Sequence, residues 1–320
     1  MNDQPGRVLA GKYELVEQLG KGGMAVVWRG IAHGSSGFAR PVAIKRIDSQ
    51  VVGFAEVVEM FVEEARVGAL LNHPNIVQVF DFGQDEAGHH FLVTELVSGL
   101  HLGQWVRSHY EHAQRETPWP LVAAIGIEML RGLEAAHSRR AADGTASPIM
   151  HRDVTPPNIL LDQSGIVKLA DFGLARAMDR GRMTRPNIVK GKLSYLAPEL
   201  IAGDAPSPAT DLFSVGIVLW EALTGERLFN AGTDVDVVAQ VREAKVPLLS
   251  FKRPNLPMAL ASAVHRVLER DPARRFRSAR EMLEALTDVL RVLPDSTDAL
   301  ALGQSVREAQ RRLGGSAGAS

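Results

Sequence analysis

Apolar residues recur at two different periods along the chain, and the change from one to the other divides it. Up to about residue 95 the recurring unit is the strand. Tyr13–Leu19 and Ala25–Ile31 read as strands flanking a glycine-rich turn, and Val42–Ile47 as a third after Pro41. One amphipathic helix interrupts them, from about Val57 to Leu71, with Val58, Phe61, Ala65, Gly68 and Leu71 on one face at helical spacing. Two further β runs, Ile76–Phe82 and Phe91–Val97, lead to Ser98-Gly99, where a hinge is expected. Beyond it the pattern becomes helical, with Leu121–His137, Ala209–Leu223, Val235–Val241, Ala259–Glu269 and Ala279–Val292 as candidates and one more β run at Ile166–Ala170. A strand-rich lobe followed by a helix-rich lobe predicts an α+β architecture with a cleft between them. A last, weakly amphipathic helix, Asp298–Leu313, precedes Gly-Gly-Ser-Ala-Gly-Ala-Ser, an ending of linker character.

Composition narrows the function classes. With 320 residues, 45% hydrophobic and 23% charged, the chain can bury one large core or two joined lobes, and disorder is excluded as its overall state. A net charge of −1 gives no electrostatic reason to expect nucleic acid or a general attraction to anionic membranes. There is no cysteine, so disulfides and thiolate metal sites are impossible. That suits a reducing cytoplasm, the expected location, whether of this chain or of a longer protein to which it belongs. The longest apolar run, Ala209–Leu223, is interrupted by Thr210, Asp211, Ser214 and Glu221. No stretch approaches the ~20 apolar residues of a membrane span. The start, Met-Asn-Asp-Gln-Pro-Gly, has no apolar signal segment.

Six short segments carry the candidate chemistry: Gly20-Lys21-Gly22-Gly23-Met24-Ala25-Val26-Val27, Val42-Ala43-Ile44-Lys45, Glu64, His151-Arg152-Asp153 through Asn158, Asp171-Phe172-Gly173 and Ala197-Pro198-Glu199. Glycines between two strands let backbone N–H groups lie close over phosphates, although a glycine-rich hairpin also reads as a plain turn. A buried lysine needs a partner, and Glu64, beside Ala65 on the apolar helix face, is the best candidate for Lys45; its neighbour Glu63 should then face solvent. Both glutamates also read as ordinary helix-surface carboxylates. Isolated aspartates in loops are usually turn formers or caps, but the gap from Asp153 to Asn158, and Asp171 directly after a β run, favour a functional reading.

In this order the six segments resemble the signature set of protein kinases, and the chain is similar to the bacterial eukaryotic-like (Hanks-type) serine/threonine kinases over about residues 10–290. The resemblance implies a bilobal kinase fold: an N-terminal segment at 1–12, a kinase domain at 13–294 and a C-terminal helix with a flexible, linker-like tail at 295–320. Within the domain the small lobe would run to about 95, the hinge from 95 to 99 and the helical lobe from 100. It implies ATP and Mg²⁺ or Mn²⁺ as cofactors, protein substrates as partners and a homodimer for autophosphorylation in trans. Leu19, Gly20, Lys21, Gly22, Gly23, Val27, Ala43, Thr94, Glu95, Val97 and Leu160 would surround the nucleotide, Thr94 in the gatekeeper position. Lys45 would clamp the α/β-phosphates, Asn158 and Asp171 would hold the metal, and Asp153 would accept the incoming hydroxyl's proton. Two structural pairs are also implied: Glu199 with Arg275, and Asp211 with the backbone around His151-Arg152.

Some positions depart from the pattern. Ala25 stands where the third loop glycine is usual, and Gly68 sits inside the regulatory helix. Thr155 occupies the place of a lysine two residues after the catalytic aspartate, and Lys192 the place of a threonine after Gly191. Lys192 would bring its ammonium to the same spot from the opposite wall, with the Thr155 hydroxyl as its partner. Thr184, amid Arg180, Arg182, Arg185 and Lys190, reads as an activating phosphorylation site facing Arg152; the same segment also reads as an exposed basic loop. An active protein kinase is the first reading. A nucleotide-binding pseudokinase or scaffold is the second, on Ala25, Gly68 and the Thr155/Lys192 exchange. A small-molecule phosphotransferase is the third, and Ala197-Pro198-Glu199 counts against it.

Overall fold

The computed structural model describes residues 3–48, 55–172, 192–292 and 297–315 of the chain. Two compact units emerge, the first built from residues up to 73, from 77 to 97 and from 171, the second from 74–76, from 98 to 170 and from 190 onward.

The first unit is an antiparallel sheet carrying one helix. Its strands are β1 (Val8–Leu9), β2 (Tyr13–Lys21), β3 (Ala25–His33), β4 (Ala39–Ile47), β5 (Val79–Gln84) and β6 (His90–Glu95), in the order β1-β2-β3-β4-β6-β5, and the helix α1 spans Ala55–Ala69 between β4 and β5. Strand alternation in β4 decides both faces. Val42 and Ile44 fill one apolar cluster with Leu9, Tyr13, Leu15, Trp28, Phe91 and Val93, while Ile47 joins Ala25, Leu92 and the α1 residues Val57, Phe61 and Ala65 in another. Gly68 has a packing reason: a Cβ there would stand 2.7 Å from a methyl of Val79 on β5.

The N-terminal segment contributes β1 to this sheet. Leu9 is fully buried in the first cluster and pairs with Tyr13. Arg7 and the buried Arg46 share Asp3 and Asp85 in a four-membered ion network that ties the segment down. The strand expected at Ile76–Phe82 begins only at Val79. Ile76 instead bridges to Leu169 in the second unit.

The second unit is helical with one small sheet. In chain order it comprises β7 (Gly99–His101), α2 (Leu102–Arg107), α3 (Trp119–His137), β8 (Ile159–Asp162), β9 (Val167–Leu169), α4 (Pro198–Ala202), α5 (Pro208–Thr224), α6 (Asp234–Glu243), α7 (Leu249–Lys252), α8 (Met258–Val267), α9 (Ala279–Leu290) and α10 (Ala299–Gly315). The hinge expected at Ser98-Gly99 runs straight into β7, and α2, unforeseen in the sequence, starts at once behind a His101–Gln104 capping box. A helix apolar on all sides belongs in the middle of a domain. α5 is that helix, with every residue from Thr210 to Leu223 buried.

α10 docks on the helical unit, and the rest of the linker-like ending expected after it, at 316–320, lies outside the described residues. Leu302, Val306 and Ala309 are buried, and the indole of Trp105 donates to Ser305 at 3.0 Å. Its first turn approaches the β8–β9 turn so closely that only glycine fits at 165, where φ is +87° and a Cβ would strike the carbonyl of Ala299. Among the described residues no helix is long and apolar enough to cross a membrane.

Arg275 and Glu199 form the buried pair expected, bidentate at 2.6 and 2.7 Å. The guanidinium, wholly shielded from solvent, also donates to the carbonyls of Ala209, Glu269 and Arg270. Removing one partner of such a pair leaves the other charge buried and alone. Arg275→Met should therefore cost about 3–5 kcal/mol in urea unfolding, and a loss below about 1 kcal/mol, the level of an exposed pair, would show that solvent reaches Glu199.

Candidate active site

The site residues of the first unit gather around the middle of β4. Pairing sets Val27 across from Lys45 and Thr94 across from Ala43. Residues directly opposite in an antiparallel pair share a face, so these four lie on the α1 side of the sheet. The helix brings Glu64 to the same place because residues 57, 61, 64, 65 and 68 form one stripe. The Lys45 ammonium lies 2.7 Å from Glu64 and 2.9 Å from Asp171. Glu63 is the less buried of the two glutamates and pairs with Arg66 on the helix surface.

Two carboxyl groups share one ammonium, and ionising both would leave a surplus negative charge inside the protein. Burial works to lower the Lys45 value, but the charges of Asp171 and Glu64 outweigh it and hold the ammonium above its ordinary range. Burial pushes the Glu64 carboxyl up to about 8; Lys45 opposes this and Asp171 adds to it. Asp171 sits at φ 63°, a strained left-handed conformation for a residue with a side chain.

The glycine loop leaves room above β2 and β3. Gly22 donates its N–H to the Ala25 carbonyl at 2.8 Å, and Lys21 is tied to Asp48 at 2.7 Å. Neither Gly20 nor Gly22 has a positive φ, and a Cβ on Gly20 would meet nothing within 4 Å. Among the described residues nothing demands glycine at 20 or 22; an approaching ligand would. Ala25 turns its methyl inward, beside Met24, Lys45, Val57, Phe61 and Glu64, so it lines the protein interior and not the outer side of the loop. Leu19 is half exposed, Val97 half-buried, and Glu95 accepts from the Gln78 N–H at 2.7 Å.

In the second unit the loop carrying His151, Arg152 and Asp153 is positioned by α5. Asp211 accepts from the backbone N–H groups of His151 and Arg152, both at 2.8 Å, and from His137 Nε2 at 2.8 Å. This chelation accompanies φ 66° at Arg152. Burial works to raise the Asp211 carboxyl, but the bond from His137 and the surrounding donors outweigh it and hold the group below the usual carboxylate range. His137 ends α3 and carries no local signal of this role; only the fold brings it to Asp211.

Asp153 is buried, and its Oδ2 accepts from the Asn158 amide at 2.8 Å and from the Lys192 ammonium at 2.6 Å. The bond expected between Lys192 and the Thr155 hydroxyl does not form; the ammonium goes to the carboxylate because an ionic acceptor outcompetes a neutral one. Leu160 lies half-buried in β8. Thr184 with its neighbouring cations, and Gly173 and Gly191, lie outside the described residues.

The profile of the family described as "Protein kinase domain" matches residues 13–286. The chain belongs to the protein kinase family. It is 34% identical over 89% of its length to a probable serine/threonine-protein kinase of Clostridium perfringens and covers 39% of that protein. It is 34% identical over 92% of its length to the tyrosine-protein kinase MasK of Myxococcus xanthus, covering 45% of it, and 34% identical over 90% to the serine/threonine-protein kinase PknA of Mycobacterium tuberculosis, covering 64%. The chain thus spans 39% to 64% of the length of these curated relatives. The crystal structure of the Mycobacterium tuberculosis PknI kinase domain superposes with a TM-score of 0.68 at 27% identity, covering 91% of this chain and all of that one.

Protein kinase membership implies ATP with a divalent metal, and the residues present fit both. The open space over Gly20 suits phosphates. Hard cations take oxygen donors: in the first unit Asp171 offers carboxylate oxygens, and in the second both amide hydrogens of Asn158 go to Asp153, which leaves its amide oxygen as an acceptor. Among the described residues no three His, Asp or Glu side chains gather into a metal-binding cluster.

The Glu64 carboxyl makes the kinase fold pH-sensitive in a definite direction. Its folded value of about 8 lies above the ordinary 4.5, so between these the folded state holds a proton that the unfolded state has lost. The stability contributed by this group therefore falls as pH rises through that window. Without nucleotide, Glu64→Gln should gain on the wild type steadily from about pH 5 to 8 in urea midpoints; parallel curves would mean that the carboxyl stays ionised throughout.

Proposed function

We propose that the chain catalyses transfer of the γ-phosphate of ATP to serine or threonine hydroxyls of proteins. The observation that carries this reading is the closed Lys45–Glu64 pair at 2.7 Å, since an intact pair of this kind accompanies a catalytically competent kinase domain. Lys45 would hold the α/β-phosphates, and Asp153 would orient the acceptor hydroxyl and take its proton. Asn158 and Asp171 would hold the metal, which when bound neutralises phosphate charge. Mg²⁺ and Mn²⁺ both suit these oxygen donors.

The pseudokinase reading loses two of its supports. Ala25 points its methyl into the protein, and Gly68 answers to the packing of α1 on β5. Serine/threonine preference rests on relatives named for it, and the relative named a tyrosine kinase makes acceptor identity the discriminating measurement. Thr184 is the proposed autophosphorylation site, modified in trans by a second copy, because it stands among four cations in sequence.

Purified protein incubated with labelled ATP and either metal should label itself and an added protein, with label on serine or threonine by phosphoamino-acid analysis. Lys45→Met should lower the rate on the order of 10²-fold or more, as expected for a lost charged contact; near-wild-type transfer by this variant would sink the assignment. Label confined to tyrosine would move the chain to the other acceptor class. Mass spectrometry of the active protein should find phosphate on Thr184, and a Thr184→Ala protein with full activity toward an added substrate would place the switch elsewhere.

A further inference from the structure

The Asp153 carboxylate is met by a cation from a different part of the chain. The residues between Asp153 and Asn158 are Val154, Thr155, Pro156 and Pro157, none of which carries a charge. Lys192 arrives from the turn that precedes Ala197-Pro198-Glu199, and its Nζ lies 2.6 Å from Asp153 Oδ2. The lysine side chain is 38% exposed, whereas that of Asp153 is 6% exposed. The ammonium thus reaches a buried carboxylate while remaining open to an incoming anion. Of its three donors only one is spent on Asp153.

We infer that Lys192 is a catalytic residue of the phosphoryl transfer proposed above, supplying from this turn the cation that meets the γ-phosphate beside Asp153. The inference rests on that reading of the chain as a kinase. Asp153 Oδ2 is occupied by Lys192 and Asn158, which assigns Oδ1 to the acceptor hydroxyl. In the step, the hydroxyl oxygen bonds to the γ-phosphorus, the bond from that phosphorus to the β-bridging oxygen breaks, and ADP leaves with the bond's electron pair. The hydroxyl proton passes to Asp153 Oδ1. The two remaining donors of Lys192 go to γ-phosphoryl oxygens, where a fixed cation in a partly dry site lowers the barrier.

The position of Lys192 is built and not incidental. The short turn Leu193–Tyr195 that follows it is buried. The Tyr195 carbonyl accepts from Ser214 at 2.7 Å, and its hydroxyl donates to Glu221 at 2.6 Å while accepting from Arg227. Ser214 and Glu221 both lie on α5, the helix whose Asp211 holds the backbone of His151 and Arg152. One rigid helix therefore anchors both members of the Asp153–Lys192 pair, through Asp211 on one side and through Ser214 and Glu221 on the other. A surface lysine that found a carboxylate by chance would have no such support.

The experiment measures steady-state kinetics of the whole chain with a protein acceptor. Lys192→Ala should lower kcat on the order of 10²-fold while changing KM for ATP less than about 3-fold, because the lost contact strengthens in the transition state. Moving the amine, by Thr155→Lys together with Lys192→Thr, should recover at least about 10-fold over Lys192→Thr alone, a coupling that a purely structural lysine would not show. Unfolding midpoints and ATP binding within error of wild type would establish that Lys192→Ala is folded; should it prove unfolded, Lys192→Met, which keeps the apolar stem, replaces it in the same assay. A fully active Lys192→Ala, a loss confined to KM, or strictly additive effects in the cycle would overturn the inference while leaving the kinase reading intact. A wild-type protein no more active than Asp153→Asn would overturn both.

Discussion

The helical unit depends on one helix that has no solvent side. α5 is buried along its whole middle, and four of its residues there are polar: Thr210, Asp211, Ser214 and Glu221. A polar group taken from water without a partner costs several-fold more than a typical hydrogen bond returns, so each of the four must be satisfied by something outside the helix or at its cap. Thr210 closes the N-cap with Ser207. Asp211 takes the catalytic-loop backbone and His137, Ser214 takes the carbonyl of Tyr195, and Glu221 takes its hydroxyl and the N–H of Leu228. The demand for satisfaction thus places Asp153 and Lys192 as a by-product of burying α5.

The strand unit solves a similar problem with a single alternation. β4 must feed two apolar clusters, one on each face, and the period of two that sends Ile44 to one sends Lys45 toward α1. An ammonium placed there is nearly dry and holds only because Glu64 and Asp171 answer it. Arg46, pointing the other way, faces the same requirement and meets it with Asp3 and Asp85. The N-terminal segment is thereby drawn onto the sheet by charge as well as by Leu9. Two carboxyl groups share the Lys45 ammonium, and the Glu64 carboxyl is correspondingly pushed up.

Peripheral elements owe their positions to close approach more than to propensity. α1 lies against β5 because residue 68 has no side chain, and α10 reaches the β8–β9 turn because residue 165 has none. Neither glycine is a flexible point in this fold. Each removes a Cβ from a contact that would otherwise hold two elements apart.

Much of the architecture was legible in the chain because it is local: the order of strands and helices, the positions 61, 65 and 68 of the α1 stripe, the apolar run of α5 and the spacing from Asp153 to Asn158 all follow from periods and motifs, although Val57 and not Val58 is the buried valine of α1. The four polar interruptions of α5 were visible too, but as defects in an apolar run; what they bond to is scattered from His137 to Leu228 and has no sequence period. The same limit applies at both ends of the chain. Leu9 and Val306 sit in short or weakly amphipathic stretches, and their burial depends on surfaces assembled by distant residues. The Thr155/Lys192 exchange marks the boundary most clearly. Sequence alone determined that the catalytic loop lacks its amine and that a lysine stands elsewhere. Only the tertiary structure decided that this lysine reaches Asp153 and not the Thr155 hydroxyl, because the choice turns on how α5 holds two distant segments together and on the stronger pull of an ionised acceptor.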